Sequence, residues 1–144
     1  MKKLSILLFS ILITLSLSSC DLFENKGDIN DYVGTYKLES AHETVKHVYW
    51  GSEKEISSRN IMETGAIIVI KDDKTVIYTE SDGTEHKGRI KCLENYCRFF
   101  GTPLDSSYKF YMKYDGSLYY SYESLHMSVE YDVTYRSIIL TKQS

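Results

Sequence analysis

Residues 108–122 read Tyr108-Lys109-Phe110-Tyr111-Met112-Lys113-Tyr114-Asp115-Gly116-Ser117-Leu118-Tyr119-Tyr120-Ser121-Tyr122. Tyr108, Phe110, Met112 and Tyr114 alternate with Lys109, Tyr111 and Lys113; after Asp115-Gly116 the alternation resumes at Leu118, Tyr120 and Tyr122. A period of two places successive side chains on opposite faces of a strand, and glycine accepts the positive φ of a tight hairpin turn. The stretch therefore reads as a β-hairpin with one apolar face.

Working outward, the same pattern recurs. Tyr32, Gly34, Tyr36 and Leu38 share one face of an opening strand. Ala66 to Ile70 is a β-branched run ended by Lys71-Asp72-Asp73-Lys74, and Thr75 to Glu80 leads to a second Asp-Gly turn at Asp82-Gly83. Strands over Thr84 to Leu93 and Cys97 to Gly101 follow. Val129, Tyr131, Val133 and Tyr135 then alternate with Glu130, Asp132, Thr134 and Arg136, and Ile138 to Thr141 continues after a bulge or bend. Almost no helical period runs through residues 32–144. The expected fold is all-β: an antiparallel up-and-down β-barrel of about eight strands, because a meander with one apolar face closes on itself to remove its edges. Residues 41–65 fit this least well. They are expected to form an excursion, with a partial strand near His47 to Trp50 and a loop or short helix over one barrel mouth.

Met1-Lys2-Lys3, the apolar run Leu4 to Leu17 and Ser18-Ser19-Cys20 have the three parts of a secretory signal. Fourteen helical residues span about 21 Å, short of a hydrocarbon core of about 30 Å. Leu17-Ser18-Ser19-Cys20 resembles the lipobox of bacterial lipoproteins. That resemblance implies a signal peptide over 1–19, a diacylglyceryl thioether on Cys20, and location on the extracytoplasmic side of a membrane held by the lipid. Residues 20–31 are acidic and aperiodic and read as a tether with a reach of about 18 Å, leaving 32–144 as the folded domain.

Tyr32-Val33-Gly34-Thr35-Tyr36-Lys37-Leu38-Glu39-Ser40 is similar to the opening strand of lipocalins and fatty-acid-binding proteins, with Tyr36 where those carry tryptophan. The resemblance implies a lipocalin-like barrel closed at its base by a cation–π pair, Tyr36 with Arg136. In size and anchoring the chain also resembles bacterial lipoproteins that inhibit lysozyme, without their inhibitory loop motif.

The 144 residues carry a formal charge of −3, which falls to −5 once Lys2 and Lys3 are removed. A net acidic chain with no basic run is poorly suited to a phosphate backbone, so nucleic acid is not an expected partner. Cys92 and Cys97 flank a four-residue turn; a disulfide is expected across the hairpin neck, with a free dithiol or zinc held with His86 as alternatives. No HExxH spacing, Gly-x-Ser-x-Gly elbow or Gly-rich phosphate loop occurs, so neither enzymatic activity nor a cofactor or resident metal is expected.

Thirteen tyrosines are the unusual feature. Buried hydroxyls need partners, so a tyrosine-rich interior should be partly wet. Tyr108, Phe110, Met112, Tyr120, Tyr122, Tyr131 and Tyr135 are the candidate lining of a cavity for a small apolar or amphipathic ligand. The alternative is a small barrel with a filled core that contacts a protein partner through its loops, or through Tyr111 and Tyr119 on its outside.

Overall fold

The computed structural model describes residues 28–93, 95–126 and 128–144. The lipobox, Cys20 and most of the expected tether lie outside the described residues. One helical turn, α1 (Ile29–Tyr32), precedes nine strands: β1 (Gly34–Tyr49), β2 (Ser52–Asn60), β3 (Ile67–Ile70), β4 (Thr75–Thr79), β5 (Glu85–Cys92), β6 (Tyr96–Phe100), β7 (Phe110–Met112), β8 (Leu118–Glu123) and β9 (Glu130–Lys142). All pairings are antiparallel, in the order β2-β1-β3-β4-β5-β6-β7-β8-β9, and β9 returns to β1. Eight strands therefore close a barrel and β2 stands outside it.

The closure uses one long ladder. β9 pairs with β1 from Tyr36↔Lys142 to Tyr49↔Glu130, with a bulge between Leu38 and Ser40. On its other edge β1 changes partner: Gly34–Lys37 pair with β3, whereas His42–Tyr49 pair with β2. The segment joining β2 to β3 crosses back over β1 through Ile61 N→Ala41 O, Gly65 N→Leu38 O and Leu38 N→Ala66 O, at 3.0, 2.8 and 2.8 Å. Residues 41–65 are thus mostly sheet, and only 61–66 form the expected loop. Beyond the barrel, β1, β2 and β9 run on as a projecting wing.

Aspartate sets the turns. Asp73, Asp82, Asp105 and Asp115 each accept a hydrogen bond from the backbone N–H two residues on, at 2.7–2.9 Å. These bonds favour the ionised form and hold all four carboxyls below the usual range. Asp28 caps α1 in the same way through Asn30 N. This turn buries Tyr32 and packs Ile29 against the barrel core, so Asp28–Asp31, expected in the tether, belong to the domain.

Inward side chains fill the barrel. Tyr36, Leu38, Ile68, Val76, Phe99, Phe110, Leu118, Ile138 and Leu140 all have 0% exposure. Phe99 and Phe110 meet edge to face at 5.2 Å, and Tyr108 stacks on Tyr120 at 4.3 Å. Gly88 is needed for close approach, since a Cβ there would run into Phe100 O and Thr102 Cγ2. The Tyr36 hydroxyl donates to Tyr32 O at 2.9 Å, tying α1 to the first strand, and burial pushes the phenol up to about 12.

Cys92 and Cys97 stand directly opposite each other across the β5–β6 hairpin, as the spacing implied, but both are free thiols. The expected disulfide is corrected to a thiol pair. The hydrogen bond with Cys92, followed by burial, raises the Cys97 thiol, while the same bond lowers Cys92. His86 lies apart from this pair and bonds Glu80 at 2.6 Å. Among the described residues no group of three His, Cys, Asp or Glu is placed to hold a metal.

Gly88→Ala should lower unfolding stability by about 2 kcal/mol through overpacking. Tyr36→Phe should cost only about 1 kcal/mol, the value of one hydrogen bond. Urea titration followed by circular dichroism reads both, and equal effects would contradict this account of the core.

Candidate interaction surface

The wing begins where the barrel's inner face runs out of apolar residues. Beyond Ala41 and Ile138, both buried, the same face continues with Glu43, Val45 and His47 on β1 and with Arg136, Thr134 and Asp132 on β9. Glu43 is only 7% exposed and is held between two arginines: Arg59 Nε and Arg136 Nε donate to its two oxygens at 2.8 and 2.6 Å. These bonds hold the Glu43 carboxyl below the usual carboxylate range, Arg136 contributing most. A polar cleft of about 290 Å³ opens here, lined by Glu43, Arg59, Asn60, Ile61, Tyr108 and Arg136. Farther out, His47 sits between Asp132 and Glu130, at 2.8 and 3.4 Å. On the opposite face, Lys46 and the Tyr135 hydroxyl both meet Glu53, at 2.7 and 3.2 Å. Charge pairs supply much of the wing's side-chain contact, alongside two buried valines, Val48 on β1 and Val133 on β9.

Its tip is apolar. Tyr49-Trp50-Gly51-Ser52 makes the β1–β2 turn with φ of 46° at Trp50 and 79° at Gly51. Two consecutive positive φ values mark the hairpin turn that Asn-Gly normally supplies. A bulky residue in this region is strained. Trp50 N donates to Val129 O at 3.1 Å, so the start of β9 is fastened to the same turn. Trp50 is nonetheless 73% exposed, beside exposed Tyr49 and Val129. On β2, every residue is exposed, and Ile56 is left without a partner by a bulge against β1. Comparison with family models, curated proteins and solved structures returned no match.

The site expected from sequence is thus redistributed. Phe110 is fully buried, and Tyr108, Met112 and Tyr120 pack in or against the core as filling. Tyr122 is 45% exposed beside Arg136, while Tyr131 and Tyr135 lie on the outer face because Ile138 and Leu140 fix the inward phase on even numbers. The pair Tyr36–Arg136 does not form. The two stand seven β1 positions apart, about 23 Å along the ladder. Lys142, in register with Tyr36, places its ammonium 5.8 Å from that ring instead. Tyr111 and Tyr119 do face outward, with rings 5.8 Å apart. The exposed Trp50 tip was missed, although Trp at the first position of a Trp-Gly hairpin turn is a signal that sequence carries.

Trp50→Asn should stabilise the isolated protein by about 1 kcal/mol by relieving the turn, measured by urea titration. Glu43 has a second, pH-dependent signature. Its folded carboxyl is depressed, so its contribution is present above the ordinary value of 4.5 and is lost as pH falls through the lower folded value. Glu43→Gln should flatten the wild-type loss of stability in that acid window, and an unchanged pH profile would exclude the arginine clasp as its source.

Proposed function

We propose that this chain is a lipid-anchored protein of the extracytoplasmic membrane face whose filled barrel is a platform for protein interaction through the wing. The anchor reading rests on Leu17-Ser18-Ser19-Cys20. One observation supports interaction over ligand storage: nine inward side chains, Tyr36, Leu38, Ile68, Val76, Phe99, Phe110, Leu118, Ile138 and Leu140, have no accessible area. A void wide enough for one water would leave area on its lining. Known small-molecule sites occupy about 300 Å³ or more, and such a ligand has no room among these residues. The mouth cleft beside Glu43, Arg59 and Arg136 is polar and does not suit an apolar guest.

Trp50 and Tyr49 are the anchors this reading assigns to the partner. Binding hot spots are enriched in Trp and Tyr, which supply large contact area. Holding Trp50 exposed in a strained turn makes sense where a partner covers it.

Two measurements decide the matter. A fluorescent apolar probe should show no saturable binding to the purified protein; one-to-one binding blocked by Phe110→Trp would restore the ligand-carrier reading. A photo-crosslinking side chain at position 49 should give one discrete partner adduct in intact cells. Trp50→Ser should weaken that adduct by roughly 30-fold, the equivalent of about 2 kcal/mol. Mass spectrometry of the mature N-terminal peptide tests the anchor, and an unmodified Cys20 would reject it.

A further inference from the structure

The barrel wall formed by β5, β6 and β7 has a composition unlike the rest of the surface. Gly88, Ile90, Cys97, Phe99 and Phe110 point inward and are buried, which turns the alternate residues out. Those are Glu85, Lys87, Arg89 and Lys91 on β5, Tyr96, Arg98 and Phe100 on β6, and Tyr111 on β7, with Lys109 and Lys113 in the same phase at its ends. Tyr96↔Tyr111↔Tyr119 are in register across three strands, giving a row of rings 5.9 and 5.8 Å apart. Lys109 and Arg98 lie over the Tyr96 ring at 4.9 and 5.6 Å, and Lys113 over Tyr119 at 5.6 Å.

This arrangement is electrostatically unfinished. Lys91 stands directly opposite Arg98, and like charges in that position are destabilising. Arg98 Nε is buried without a hydrogen-bond partner. Among the described residues none of the six cations forms an ion pair. The carboxylates that face them among the described residues are Glu85, in the same outward phase of β5 as Lys87, Asp73, felt by Lys87, and Asp115, felt by Lys113. A net basic wall with an aromatic row thus occurs on a chain of charge −3.

We propose that this wall lies on an anionic lipid bilayer as a second attachment beside the lipid at Cys20, an inference that rests on the anchor reading above. Lys and Arg near an anionic surface add to membrane binding, and tyrosines favour the headgroup level. The position of the chain's entry supports the same surface. Tyr32 packs in the core cluster with Cys97, and the ladders Gly34↔Ile70, Ile70↔Val76 and Thr75↔Arg89 put the start of β1 at the end of the barrel where β5 runs into Lys91, so the chain enters the barrel at that end. The eight residues from Cys20 to Asp28 can span at most about 29 Å. A lipid on Cys20 therefore keeps this end of the barrel at the bilayer.

The test uses the full chain in vesicles of phosphatidylcholine, with or without phosphatidylglycerol. Flotation reports anchoring, and acetylation of lysines by an amine-reactive ester, read by mass spectrometry, reports the wall. In anionic vesicles Lys87, Lys91, Lys109 and Lys113 should react several-fold more slowly and recover in high salt, while Lys54 on β2 reacts equally in both. Lys91→Gln combined with Lys109→Gln, both exposed positions, should return Lys87 and Lys113 to the phosphatidylcholine rate with an unchanged circular dichroism spectrum. Floated protein whose four lysines react alike in both vesicles overturns the wall and leaves the anchor intact. Protein that fails to float, with Cys20 unmodified, overturns the anchor and the proposal with it.

Discussion

The structure depends on the pairing of β1 with β9. It is the longest ladder in the molecule, and it does two jobs along its length. Over Tyr36–Ala41 it closes the barrel, bringing Leu38 and Ala41 against Leu140 and Ile138 with no exposed surface. Over His42–Tyr49 it carries the wing. Closing the seam removes two sheet edges that would otherwise invite aggregation. An open edge remains at β2, and it is occupied by Glu53, Lys54, Glu55 and Arg59, with a bulge in its middle. Charges and a bulge are the usual means of keeping an exposed edge from pairing with other chains.

The change of partner along β1 explains what was legible in the sequence and what was not. Wherever one face is buried, the period of two is visible, so the hairpins at Asp82-Gly83 and Asp115-Gly116, the run at Ala66 to Ile70 and the closed barrel could be read directly. In the wing β2 is exposed throughout, and the wing part of β1 is polar apart from Val45 and the buried Val48. His42 to Val48 and all of β2 pair through the backbone, while Glu43, Lys46, His47 and Glu53 are matched with charges on other strands. No hydrophobic period marks such a strand, which is why residues 41–65 looked like an excursion.

The misplaced tyrosines have a related cause. Val129, Tyr131, Val133 and Tyr135 alternate cleanly, but alternation gives two faces without saying which is the core. Ile138 and Leu140 decide it, and they put Arg136 on the inner side. Arg136 therefore closes on Glu43 near the mouth, and the cation over Tyr36 comes from Lys142 at the far end of the same strand. The thiols Cys92 and Cys97 were correctly placed opposite one another, since a hairpin neck fixes register, but register alone does not decide whether a bond joins them. The basic wall was hidden for a different reason. Its cations alternate with buried residues and are gathered from separate strands, so no basic run appears in the linear chain.

Strand order around the cylinder has one more consequence. With eight members in the ring, β5 and β6 fall half a circumference away from the seam between β9 and β1. Anything that presses against the former leaves the latter pointing the other way. The filled core then acts as a rigid spacer, and Trp50 is carried on a mast whose heel is set at the opposite side of the hull.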